Sequence, residues 1–65
     1  MKNNIKVQRA IKNITQAELA KLIGVSRQTI NAIEKGKYVP STVLALKLSR
    51  LFDKSVNEIF ELEDK

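Results

Sequence analysis

The stretch Thr15–Gly36, TQAELAKLIGVSRQTINAIEKG, decides how this chain is read. Thr15 and Glu18 stand three residues apart. At that spacing a hydroxyl and a carboxylate satisfy each other's orphaned backbone N–H groups, so a helix starts at Gln16. It runs to Ile23 and stops at Gly24, the residue that takes a left-handed backbone at least cost. Ser26 caps a second helix over Arg27–Lys35, and Gly36 ends it. Only Gly24, Val25 and Ser26 separate the two helices, too few for antiparallel packing and suited to a steep crossing. Ala20 supplies the small side chain such a crossing needs, and Leu19, Ile23, Val25, Ile30 and Ile33 supply the inward apolar face. The spacing predicts a helix-turn-helix unit over residues 16–35.

With Ile30 and Ile33 inward, positions 27, 28, 31 and 32 lie on the outward arc of the second helix, with Thr29 at its flank. A free-standing soluble helix carries Lys and Glu there. This one carries Arg27, Gln28, Asn31 and Ala32. Arg pairs with guanine O6 and N7, Gln or Asn with adenine N6 and N7, and a small apolar group meets the thymine methyl. These four are the candidate base-reading residues of a double-stranded DNA partner. Gln16, at a helix N-terminus beside free backbone N–H groups, is the first candidate for a phosphate. Ser26, Thr29, Lys35, Lys37 and Tyr38 are the candidates flanking the groove. DNA would repel an acid on this arc, so Glu34 is read as turned away from it.

Outward from this unit, the remaining cap residues divide the chain into further short helices. Ile5, Val7, Ala10 and Ile11 give a weaker helical period over Ile5–Asn13. After Pro40, Ser41 caps Thr42–Phe52, with Val43, Leu44, Leu46, Leu48, Leu51 and Phe52 apolar. Ser55 and Glu58 repeat the Thr15–Glu18 pattern and open Val56–Phe60. Five short helices with brief connections predict one all-α domain over residues 1–65. In EIFELEDK the apolar residues alternate with acids, a strand period. Two readings of the ends follow: MKNNI pairs with this segment as a small two-stranded ribbon, or the tail frays.

Composition narrows the function classes. The 65 residues include no Cys and no His, which excludes a disulfide framework, a thiolate metal site and the commonest acid–base catalyst. There is no Gly-rich phosphate loop, so neither catalysis, a metal nor a cofactor is expected, and a chain this short leaves little room for a small-molecule sensor. No apolar run approaches the roughly 20 residues of a membrane span, and the N-terminus lacks a signal segment, so a soluble cytoplasmic protein is expected. The net charge of +5 is unevenly spread. Residues 1–50 hold ten Lys or Arg against two acids, a net of +8. Residues 51–65 hold Lys54 and Lys65 against Asp53, Glu58, Glu61, Glu63 and Asp64, a net of −3. A basic body suits a polyanion-binding surface.

The segment TQAELAKLIGVSRQTINAIEKGKYVP resembles the helix-turn-helix of the Cro and lambda-repressor type, or XRE-like, family of DNA-binding regulators. Gln16 at the helix start, Leu19-Ala20, Gly24, Ser26 and the exit IEKGKYVPS carry the likeness. The five-helix plan extends it over nearly the whole chain, as in the small stand-alone bacterial members. Gln8 departs from the family's usual apolar or aromatic residue. The resemblance implies a compact lambda-repressor-like domain, and it implies a partly buried ion pair between Arg9 and Glu34, where family members often place one. It also implies a transcriptional regulator.

A repressor that occupies promoter DNA is the functional expectation. One recognition helix reads too few bases to find an operator, so a homodimer on an inverted repeat is expected. Val56, Ile59, Phe60 and Leu62 crowd the final ten residues and form the expected dimer surface. In the alternative, Phe60 and Leu62 fold back over the monomer's own core. A competing functional class is a protein-binding role, with the Arg27–Lys35 helix or the apolar C-terminal segment docked on a partner such as a toxin.

Overall fold

In the computed structural model, which describes residues 1–63, five helices are framed by two very short strands. In chain order they are β1 (Lys2–Asn3), α1 (Ile5–Lys12), α2 (Gln16–Ile23), α3 (Arg27–Glu34), α4 (Thr42–Phe52), α5 (Val56–Ile59) and β2 (Phe60–Glu61). The strands pair antiparallel, Lys2 with Glu61 and Asn3 with Phe60, so residues 2–3 and 60–61 form the expected ribbon. Asp64, counted above with the acidic tail, lies outside the described residues. No helix among the described residues is long and apolar enough to cross a membrane.

Local side chains set the helix boundaries. Thr15 Oγ1 accepts from the Glu18 N–H at 3.0 Å, and Glu18 Oε1 accepts from the Thr15 N–H at 2.8 Å. Ser55 and Glu58 do the same at 3.2 and 2.8 Å. The Ser55 backbone and side-chain bonds hold the Glu58 carboxyl below the usual carboxylate range. Ser26 and Ser41 cap α3 and α4 by accepting from the N–H groups of Thr29 and Leu44. Gly24 ends α2 at φ +78°, and a Cβ built there would meet nothing within 4 Å. Handedness rather than space is what calls for glycine there. Asn13 and Asp53 close α1 and α4 in the same left-handed region, which short polar side chains tolerate.

The core forms where α2 crosses α3. Leu19, Ala20 and Ile23 meet Ile30 and Ile33, and Ile5, Leu44, Leu48, Phe52, Ile59 and Phe60 close around them. Each large side chain sealed this way contributes about 1.5–3 kcal/mol relative to exposure, and packing has to sustain a domain without cross-links.

Several apolar positions lie outside the core, and part of one expected surface lies inside it. On α1, Val7 and Ile11 are 56% and 67% exposed, while Ile5 and Gln8 are buried. Ile5 and the partners of Arg9 fix the phase of α1, which turns positions 7 and 11 outward together. On α4, Val43 and Leu46 are likewise exposed. The expected dimer surface is also corrected, because Ile59 and Phe60 are only 2% and 8% exposed and belong to the monomer's core. Phe60 leaves the helix for extended backbone and pairs with Asn3, while the Ile59 carbonyl accepts from the Asn4 N–H at 3.0 Å. These bonds hold both residues against the body of the domain. Leu62 remains 81% exposed and Val56 half-buried.

Gly24→Ala is expected to destabilise the domain by about 1–2 kcal/mol, the cost of forcing an L side chain into the left-handed region. Gly24→Asn should cost less. Urea unfolding of both variants checks the order.

Candidate nucleic-acid interface

The outward face of α3 is set by the two isoleucines beneath it. With Ile30 and Ile33 buried, Arg27 and Gln28 stand exposed and Asn31 and Ala32 half-buried on the opposite side. These four residues line one shallow hollow together with Lys35 and Lys37. Thr29 and Tyr38 fall on the other flank of α3, where they border a second hollow with Ser41 and Lys47. The residues predicted to flank a groove thus divide between two sides of the helix. Ser26 and Thr29 are already engaged with each other: their hydroxyls lie 2.9 Å apart, and Ser26 Oγ also takes the Thr29 N–H at 3.1 Å. Lys47, which is not among the residues predicted from the sequence, borders the second hollow from α4, four residues after Val43.

Behind this face a polar chain runs from α1 to α3. Arg9 Nε donates to Glu34 Oε2 at 2.6 Å and Arg9 Nη2 to Glu34 Oε1 at 3.2 Å, a two-pronged contact with side chains only 15% and 9% exposed. Arg9 Nη1 also donates to the Ile14 carbonyl at 3.2 Å, so one guanidinium joins α1, the turn after it and α3. Gln16, read from sequence as a phosphate ligand, donates its Nε2–H to Glu34 Oε1 at 3.0 Å. Its Oε1 faces the Asn31 amide nitrogen at 3.5 Å. One amide N–H of Gln16 is therefore committed inward and one is left for another acceptor. Asn3 adds a contact that no local signal announced, donating to the Ile33 carbonyl at 2.8 Å near the C-terminal end of α3.

Electrostatics follow from this arrangement. Glu34 is the only acid on α3, and its charge is matched internally by Arg9. The hollow itself presents Arg27, Lys35 and Lys37, a cationic surface with amides between the charges.

A family profile described as helix-turn-helix matches residues 5–59, from α1 through α5. The chain belongs to the XRE-type helix-turn-helix family. Family members similar to it include an uncharacterized HTH-type transcriptional regulator of Methanocaldococcus jannaschii, 56% identical over 64 residues, with 98% of this chain and 97% of that protein covered. YgzD of Bacillus subtilis, also an uncharacterized HTH-type transcriptional regulator, is 46% identical over 65 residues, covering 100% and 98%. A protein of Bacillus phage phi105 named the ImmF control region 10 kDa protein is 38% identical over 53 residues, covering 82% of this chain and 59% of its own. As a member of this family the chain is a DNA-binding transcriptional regulator.

Removing one partner of the Arg9–Glu34 pair leaves the other charge stranded in a largely closed site. Glu34→Ala is expected to cost about 3 kcal/mol of stability. In a thermal double-mutant cycle, Arg9→Ala should add little once Glu34 is gone, and strict additivity would show that the two do not interact.

Proposed function

We propose that this protein is a repressor that binds an inverted-repeat operator as a homodimer, in the cytoplasm, reading each half-site with α3 in the major groove. The observation that carries the reading is the single hollow shared by Arg27, Gln28, Asn31 and Ala32 with Lys35 and Lys37. Arg27, Gln28 and Asn31 bring the donors and acceptors that match base edges, and Ala32 brings a contact for a thymine methyl. Lys35 and Lys37 bring charge for the phosphates beside them. Ser26, Thr29, Tyr38 and the remaining N–H of Gln16 are assigned to positioning contacts on the backbone, joined by Lys47. The name of the phi105 relative, a control region protein, supports a regulatory role.

An eight-residue reading helix covers too few base pairs to select one operator in a genome, and two-fold symmetry doubles the site. Met1, Val56, Leu62 and the edge of Phe60 border a hollow beside the ribbon together with Asn57 and Glu61, and this is the surface assigned to the dimer. The acids Glu61 and Glu63 flank Leu62, which keeps this end away from phosphates. The two copies of α3 then lie about 34–36 Å apart, one turn of the duplex.

Two substitutions separate base reading from charge. Gln28→Ala should lose about 1–3 kcal/mol of discrimination at one or two base positions and keep its salt dependence. Lys37→Ala should keep the base preference and flatten the slope of log affinity against log salt by about one unit. Isotherms on single-base operator variants over a salt series check both, and an affinity indifferent to salt rejects the phosphate contacts. For the dimer, Leu62→Glu should sediment as a folded monomer, bind a half-site as the parent does, and lose the parent's advantage on the full inverted repeat.

A further inference from the structure

The geometry points to Glu34 as the residue that fixes which way round the Asn31 amide faces the DNA, acting through Gln16. The inference rests on the reading of Asn31 as a base-contacting residue and deepens it. An asparagine amide carries a donor end and an acceptor end, and an unrestrained side chain rotates to present either. Here only one order is consistent. The Glu34 carboxylate, held by Arg9 on both oxygens, accepts and does not donate. Gln16 must turn its Nε2–H toward it, as it does at 3.0 Å, which sends Gln16 Oε1 toward Asn31. That oxygen is also a pure acceptor, so Asn31 must present Nδ2 to it, as it does at 3.5 Å. The contact is longer than the others in the chain, so it steers the amide rather than clamping it. Asn31 is left with Oδ1 and its second Nδ2–H for a ligand, in a fixed order along α3.

That order has a meaning in the major groove. Adenine presents its N7 acceptor and N6–H donor side by side, and thymine across the pair presents the O4 acceptor. An amide held in one order at one place in the groove sets Nδ2 on N7 and Oδ1 on N6–H of A·T, whereas on the reversed pair, T·A, the same two places carry the thymine methyl and O4, so Nδ2 loses its acceptor and Oδ1 faces another acceptor. An amide free to rotate recovers one bond on the reversed pair, from Nδ2–H to O4. Glu34 and Gln16 therefore decide on which strand the adenine must lie, and Glu34 does so while paired with Arg9 behind the reading face. Both are positioning residues for Asn31. A phosphate contact by Gln16 weakens binding equally on every sequence when it is lost, so it cancels from a ratio of affinities between two operators.

The test uses the full chain and a duplex selected from a random library, with the base pair read by Asn31 located as the one whose preference Asn31→Ala abolishes. The measured quantity is the affinity for that duplex divided by the affinity for the same duplex with this pair reversed. The parent is expected to give a ratio of roughly tenfold or more. Gln16→Met keeps the side-chain length without the amide, and its ratio is expected to fall below about threefold. Adding Asn31→Ala to it should reduce the ratio no further than Asn31→Ala alone. Glu34→Gln, confirmed as folded by circular dichroism, should lower the ratio in the same way, because a neutral amide at 34 faces Gln16 with either end. If Gln16→Met keeps the parent ratio while Asn31→Ala abolishes it, the relay is overturned and the reading of Asn31 stands. If Asn31→Ala keeps the parent's preferences at every base pair, Asn31 does not read bases, and the relay falls with that assignment.

Discussion

The packing of α3 against α2 governs the rest of the molecule. Ile30 and Ile33 are sealed against Leu19, Ala20 and Ile23, and two buried residues three apart leave a short helix one rotation about its axis. That rotation selects what the protein shows to its surroundings. A shift of one position toward the C-terminus would turn α3 by about 100° and set Thr29 and Ile33 outward in place of Arg27 and Asn31. The character of the outer face is therefore determined by side chains that take no part in it. Ala20 belongs to the same constraint, because a larger residue at the crossing would separate the helices and tilt α3.

Arg9 and Glu34 add direction to an arrangement that apolar packing makes compact. A well-packed apolar pair in their place would hold α1 to α3 about as firmly, since the loss of water around two charges offsets much of their attraction. What an apolar pair lacks is a sense of donor and acceptor. The guanidinium fork fixes both carboxylate oxygens, and the carboxylate in turn orders the amide next to it. Polarity is carried from α1 to the outer face of α3 in this way.

The parts of this fold legible in the sequence are those decided within three or four residues. Thr15 with Glu18, Ser26, Ser41 and Ser55 with Glu58 announce helix starts because the bonds they make are local. Gly24 announces the turn for the same reason. What the sequence concealed depends on distant partners. The phase of α1 is held by a bond between residues 25 positions apart, so the apolar spacing of Val7 and Ile11 pointed to the wrong face. Ile59 and Phe60 read as surplus apolar surface because their cover comes from the other end of the chain. At the candidate site, the outward arc of α3 followed from its isoleucines. Lys47 did not, and neither did the inward commitment of Gln16, because each depends on how a second helix is placed.

The ribbon has a kinetic consequence. α2 and α3 meet across a three-residue turn, whereas β1 and β2 bring residues 2–3 to residues 60–61. Closing so long a loop costs more chain entropy than closing a turn, so the helical pair assembles early and the ribbon zips last. The same order runs in reverse during local fluctuations, in which the exposed Lys2–Glu61 end of the ribbon opens before the core does. Asn3, which holds the Ile33 carbonyl, sits on one of those strands. The two ends of α3 are thus held differently: its N-terminus by the adjoining turn, its C-terminus by Arg9 and Gln16 on Glu34 together with Asn3 on the Ile33 carbonyl.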